Sequence, residues 1–399
     1  MKIQFKSFLK LVLLIFILID ITSCEKLDFS NEILANNEIV NIDDAKIIAE
    51  IITFPNNYYL KNGKEKKEIK EIKVIKNKEE PYFYIMNYKD GKGFIVLSAD
   101  KRCMPILAFS HEGSFNIENI TGGLADWIEE SKFYVKSMKA DTSKKIFFNK
   151  KLWDGITGIT APPVGDDPVP NPEDPPAPIT TTKGPLLSTI WCQGCGFNDQ
   201  CPYNVNGPCY RARAGCITIA MAQIMNYHEY PTYYDWDAMP DGGYSDELAA
   251  FIREIGDAID INWGSSSGLQ PDVEEERVPS TLKNTFGYSQ YLKFIDYNGN
   301  HDKVINELNH YRPVYMRGGW KDYWLGLFSY YGGGHAWVCD GYLRNIYPNG
   351  CSYLHLHMNW GWNYGESNGW FAFNNFNPPL GDEQYSFNYK RGCIIGIQP

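Results

Sequence analysis

Apolar residues recur along this chain with two different periods, and the switches between them outline its elements. Residues 39–54 show helical spacing, with Asn41 or Asp43 placed to cap the start. Residues 81–88 and 93–98 are rich in β-branched and aromatic side chains, and predict strands on either side of the turn signal Lys89-Asp90-Gly91-Lys92. Residues 124–140 suit a helix with Trp127, Ile128 and Phe133 on its apolar side. The stretch 64–80, dense in Lys and Glu around Ile69, Ile72 and Ile75, reads as a solvated face. Residues 31–150 thus predict a small α+β domain with nothing catalytic in its pattern. Later, Ala220, Met221 and Ile224 stack at three- and four-residue spacing from Ile217 onward, which predicts a helix. Residues 336–342 alternate as a strand. Residues 352–362 alternate as well, with Leu354, Leu356 and Met358 on one face and His355, His357 and Asn359 on the other.

Two stretches break these patterns. Residues 11–21 are an apolar run after Lys2, Lys6 and Lys10. As a helix it would rise about 16 Å, against a hydrocarbon core of about 30 Å, so it predicts a signal peptide and not a membrane span. Residues 161–178 hold eight prolines, which remove backbone donors and favour an extended spacer. The expected organisation is a signal over 1–23, a front domain over 24–154, a Pro-rich linker over 155–184 and a second domain over 185–399.

Composition narrows the function classes. The chain has 399 residues, 15% of them aromatic, enough for packed cores in two domains or three. Its net charge of -10 argues against nucleic acid as a partner. Ten cysteines are unevenly spread, with only Cys24 and Cys103 in the first half.

Cys216 opens the predicted helix that runs on through Ile217. Unpaired N–H groups and the positive end of the dipole favour a thiolate there, although a buried structural cysteine fits the same position. His335 follows the glycine run Gly332-Gly333-Gly334, where a loop meets a strand, and Asn359 lies further on. A cysteine on an early helix, then a histidine and an asparagine, is the chain order of papain-type nucleophilic catalysis. In it, a base takes the thiol proton and a third group holds the base.

Four blocks make this specific: Trp191-Cys192-Gln193-Gly194 after Gly184-Pro185-Leu186-Leu187; Gly215-Cys216 through Met225; Gly333-Gly334-His335-Ala336-Trp337-Val338 with Asp340-Gly341-Tyr342; and Asn359-Trp360-Gly361-Trp362. With them the sequence resembles the streptopain-type, papain-like cysteine peptidases, which are made as zymogens. The front domain resembles their inhibitory propeptide at residues 93–100. The resemblance implies an α+β fold, a small propeptide domain followed by a papain-like catalytic domain. It also implies Cys216 as nucleophile, His335 as general base and acid, and Gln193, 23 residues before Cys216, as an oxyanion-hole donor. Trp360 would shield the Cys–His pair, and Asn359 is a further orienting candidate. Gly334, Ser266, Ser267 and Gly268 match regions lining the substrate cleft. The implied partners are protein or peptide substrates, with a hydrophobic residue preferred second before the scissile bond, and the chain's own propeptide as inhibitor. No cofactor or metal is implied.

The end of the apolar run, Ile21-Thr22-Ser23-Cys24, resembles a bacterial lipoprotein signal with Cys24 as the lipidated residue. This would give an exported protein of the cell envelope, soluble or tethered at its front end. Cys192, Cys195, Cys201 and Cys209 crowd the neighbourhood of Gln193, a departure from the family pattern. Disulfides suit an exported chain, and a zinc site is the alternative reading. Two rival functions share the same residues: a catalytically idle binding or adhesion module, and a papain-like transferase or amidase.

Overall fold

The computed structural model describes residues 38–52, 67–78, 80–117, 123–140, 146, 149–150, 152–153, 179–263, 271–324, 328–346, 352–365, 367–372 and 389–399. The signal over 1–23, Cys24, most of the Pro-rich stretch, and Ser266, Ser267 and Gly268 lie outside them. Among the described residues no helix is long and apolar enough to cross a membrane.

Helix α1 (Ile42–Ile51) begins where Asn41 Oδ1 accepts hydrogen bonds from the N–H groups of Asp43 and Asp44. Strands β1 (Ile69–Asn77), β2 (Glu80–Tyr88), β3 (Phe94–Ser98) and β4 (Ile106–Ser110) form an antiparallel meander. The Lys- and Glu-rich stretch therefore supplies an edge strand, where charge discourages further pairing. Helix α2 (Gly123–Ala140) packs Leu124, Trp127 and Val135 against this front sheet.

Strand β5 (Ile179–Lys183) lies at the end of the stretch read as linker. Its Thr-rich sequence has β propensity and no proline, and it pairs antiparallel with β8 (Phe328–Ile346) from Ile179↔Ile346 to Lys183↔Tyr342. Gly184 follows at φ +78, and a Cβ there would stand 2.3 Å from the Asp340 carbonyl oxygen, so glycine allows the close approach. Helices α3 (Cys216–Tyr227), α4 (Asp246–Ala258), α5 (Pro271–Asn284) and α6 (His301–Asn309) build the helical part. The remaining strands are β6 (Lys293–Asp296), β7 (Val314–Trp324), β9 (Ser352–Asn359), β10 (Gly369–Ala372) and β11 (Tyr389–Ile395).

One sheet joins both halves, in the order β1-β2-β3-β4-β10-β9-β8-β7-β11-β6. The seam is β4 against β10, through Trp370↔Phe109 and Phe371↔Ala108. A shared core runs beneath it. Trp127 of the front domain meets Phe371 edge-on at 4.9 Å, and Phe371 meets Trp360 at 5.1 Å. The second core surrounds α3, which is buried from Ile217 to Met225. A helix buried on all sides needs apolar residues beyond the single stripe that the spacing revealed.

Candidate active site

Gly215 carries φ +87 and turns the chain into α3, so Cys216 occupies the first helical position. Cys216 packs against the core that includes Ile217 and Ala336, and the nearby main chain of Ala336, Ile217 and Cys216 itself favours the thiolate. Burial nevertheless dominates and pushes the thiol up to about 11. Ala336 is the neighbour of His335 in β8, so α3 and β8 bring the two sequence-predicted residues to one place.

His335 is buried, and its Nε2 lies 3.0 Å from the Trp360 carbonyl oxygen. A carbonyl only accepts, so Nε2 carries the proton and Nδ1 keeps the lone pair that a general base needs. Desolvation pushes the imidazole down to about 4, with the Trp360 bond opposing. Burial therefore disfavours the charged form of both groups in this full-length form.

Trp360 meets His335 through its main chain. The rings beside the imidazole are Trp362, with centroids 4.8 Å apart, and Trp337, stacked at 6.1 Å. The Trp360 indole packs behind them, 5.2 Å from Trp337. The amide of Asn359 is engaged elsewhere. Nδ2 donates to the Thr189 carbonyl (2.8 Å) and to Gln223 Oε1 (3.1 Å), while Oδ1 accepts from Gln223 Nε2 and from Gly361 N–H, both at 3.2 Å. Asn359 and Gln223 thus fasten the turn that carries the Trp360 carbonyl onto the helix that carries Cys216. Gln223 was not singled out from sequence; its signal is a polar side chain within an apolar helical run.

Gln193 is half-buried, and its carbonyl accepts from Ala214 N–H at 3.1 Å, two residues before Cys216. Gly334 lies in β8 immediately before His335. Beside Gln193, Cys195 and Cys209 form a disulfide, while Cys192 and Cys201 are free and buried. The pairing takes two of the four thiols that a zinc site there would use, and no cluster able to hold a metal occurs among the described residues. On the same strand as His335, Asp340 Oδ2 accepts from the N–H groups of Leu186 (3.1 Å) and Leu187 (3.0 Å), and its Oδ1 lies 2.6 Å from His357 Nδ1.

Comparison with known proteins matches the same layout. Residues 37–135 match the Spi protease inhibitor family, and residues 191–233 and 232–371 match the Peptidase C10 family. Streptopain of Streptococcus pyogenes serotype M1 is 28% identical over 379 residues, covering 79% of this chain and 80% of its own. The thiol protease/hemagglutinin PrtT of Porphyromonas gingivalis is 28% identical over 372 residues, or 81% of this chain; the match spans only 37% of PrtT. A solved fragment of Prevotella intermedia prointerpain A shares the fold, with a TM-score of 0.54 and 21% identity over 82% of this chain and 99% of that one.

Proposed function

Because the chain is a streptopain-type cysteine peptidase zymogen, with a Spi-type inhibitor domain ahead of a Peptidase C10 domain, we propose that Cys216 and His335 perform its peptide hydrolysis and that the geometry described above is its latent state. The observation carrying this reading is that Cys216 packs against the core that holds Ala336 while the adjacent His335 is held through Nε2 by the Trp360 carbonyl. The Cys216 proton passes to His335 Nδ1 as the sulfur attacks the scissile carbonyl carbon. The oxyanion is met by the Cys216 N–H and the Gln193 side-chain amide. His335 then protonates the leaving amine, and water attacks the acyl-enzyme with His335 again as base.

Latency follows from electrostatics. Active thiol peptidases work with the thiol ionised and the imidazole protonated, and burial here disfavours both charges. The front domain contributes to that burial through the aromatic series Trp127, Phe371, Trp360, Trp362 and His335. The maturation cut is assigned between Trp153 and Ile179, because β5 is paired with β8 and belongs with the catalytic part. Residues 266–268 and Gly334 are assigned to the substrate cleft. The apolar run and Ser23-Cys24 support export and lipidation at Cys24, and the Cys195–Cys209 disulfide suits an oxidising compartment.

The test is active-site titration with a thiol-reactive peptide epoxide, alongside hydrolysis of casein and of peptides. Labelling of Cys216 and loss of cleavage in Cys216→Ala are expected. Undiminished cleavage by Cys216→Ala would overturn the assignment, and incorporation of an added amine without chain cleavage would favour a transferase.

A further inference from the structure

Three charged or polar side chains lie buried behind Cys216, and the mechanism above does not use them. Glu274, on the first turn of α5, is buried, as are Tyr315 and Arg317 on β7. Tyr315 donates its hydroxyl to Glu274 Oε1 at 2.5 Å, and Arg317 Nη1 lies 3.6 Å from Glu274 Oε2. Arg317 also pairs with the exposed Glu275 on the same helix, and its guanidinium lies over the Phe294 ring of β6 at 4.4 Å. Strand register connects this cluster to the catalytic strand: Arg317 stands opposite Ala336, and Tyr315 opposite Val338. Cys216 packs against the core that holds Ala336 and Tyr315; a negative Glu274 opposes ionisation of its thiol, and a thiolate there in turn opposes ionisation of Tyr315.

We propose that Glu274, gripped by Tyr315 and Arg317, is a positioning residue for the nucleophile: the charge on its carboxyl sets how readily the Cys216 thiol ionises. The inference rests on the reading of Cys216 as nucleophile given above. The groups facing Glu274 are Tyr315 and Arg317 from β7, Cys216 from α3 and Glu275 from its own helix. A negative Glu274 beside a forming thiolate is a like-charge pair in a buried setting and opposes ionisation. A neutral Glu274 removes that opposition, so the two protons are linked. Burial pushes Glu274 up to about 7, against the pull of Arg317 and Tyr315, which places its charge change in the working pH range of a thiol enzyme.

The test is alkylation of the full-length chain by iodoacetamide between pH 5 and 9, with the Cys216 peptide quantified by mass spectrometry. Logarithm of rate against pH is expected to rise with unit slope, interrupted by a step near pH 7. Above the step the rate falls at least about threefold below the line extrapolated from acid pH, equal to about half a pH unit in the thiol. Glu274→Gln, which keeps the shape and loses the charge, should abolish the step and react at least about threefold faster at pH 8.5. Should that variant fail to fold, Tyr315→Phe is expected to move the step to higher pH, because it removes a donor to the carboxylate. A merely structural cluster alters the rate without moving a step. A straight wild-type plot, or a step that persists unchanged in Glu274→Gln, overturns the inference. Alkylation reads the thiol directly, so these outcomes stand apart from peptide hydrolysis, whose persistence in Cys216→Ala would overturn the catalytic reading instead.

Discussion

Acid should loosen the front domain from the catalytic domain, and His355 is the residue that makes this quantitative. His355 belongs to β9 of the catalytic domain but faces the front domain, with Nε2 3.3 Å from the Ile106 carbonyl and its ring 6.0 Å from Phe109. It is wholly buried, and desolvation pushes it from 6.5 down to about 4. When the domains part, the imidazole returns to water and to its ordinary value. The docked state therefore binds the proton less well than the parted state. The docking free energy linked to His355 is complete above about pH 6.5 and declines as pH falls toward 4. At pH 5.5, one unit below the free value, the loss is roughly 1.4 kcal/mol, a tenfold weaker association than at pH 7.5. The assay uses Cys216→Ala protein cut in the Pro-rich stretch by an added protease, with the Kd of the severed front domain measured from pH 7.5 to 5.5. In His355→Gln, whose amide can still donate to the Ile106 carbonyl, about a factor of ten of the pH dependence should disappear. A Kd that is flat across this range, or a variant with the full wild-type slope, would refute the reasoning.

Two further outcomes follow from the site's supports. Asn359→Ala removes the buried bonds to Thr189, Gln223 and Gly361; it should lower unfolding free energy by about 1–3 kcal/mol and reduce kcat, read by denaturant titration and peptide hydrolysis. Unchanged values for both would show that Asn359 does not hold the turn. Replacing Cys195 and Cys209 by serine opens a cross-link with a sequence separation of 14, which should cost up to about 3 kcal/mol in thermal unfolding, and an unaltered Tm would contradict this.

What the sequence revealed was mostly local. Asn41 at the head of α1 bonds its own backbone, and the turn at Lys89-Asp90-Gly91-Lys92 uses residues that tolerate its positive φ, Asp90 at +57 and Gly91 at +64. Cys216 and His335 stand out because a glycine precedes each and the hydrophobic pattern starts or changes there. The seam was hidden, because Phe109 and Trp370 are paired across a separation that no periodicity reports. The Asn-Trp-Gly-Trp block displays two tryptophans, but the reversal at Gly361, φ +70, decides which ring reaches His335 and which offers its carbonyl. Glu274 is the first of three consecutive glutamates, and nothing in the sequence marks it apart from its neighbours as the one buried against Tyr315 of β7. The Lys- and Glu-rich run became a strand because its neighbour β2 supplies the ladder.

With the proposed lipid at Cys24 and a cut in the Pro-rich stretch, the attachment of β5 to β8 would also determine where the products of maturation travel. Strand β5 and the Leu186 and Leu187 amides, clamped by Asp340, fix the boundary of the catalytic part after the prolines. The proposed lipid at Cys24 and the inhibitory domain both lie before them. With that lipid in place, a cut in the Pro-rich stretch would divide the molecule into a membrane-bound inhibitor and a catalytic fragment without an anchor. Diffusion would then carry the fragment away from a surface where the inhibitor accumulates. Enzyme that stayed near the producing cell would be exposed to rebinding, and enzyme that escaped would not. One proteolytic event would thus set both the activity and the range of the peptidase.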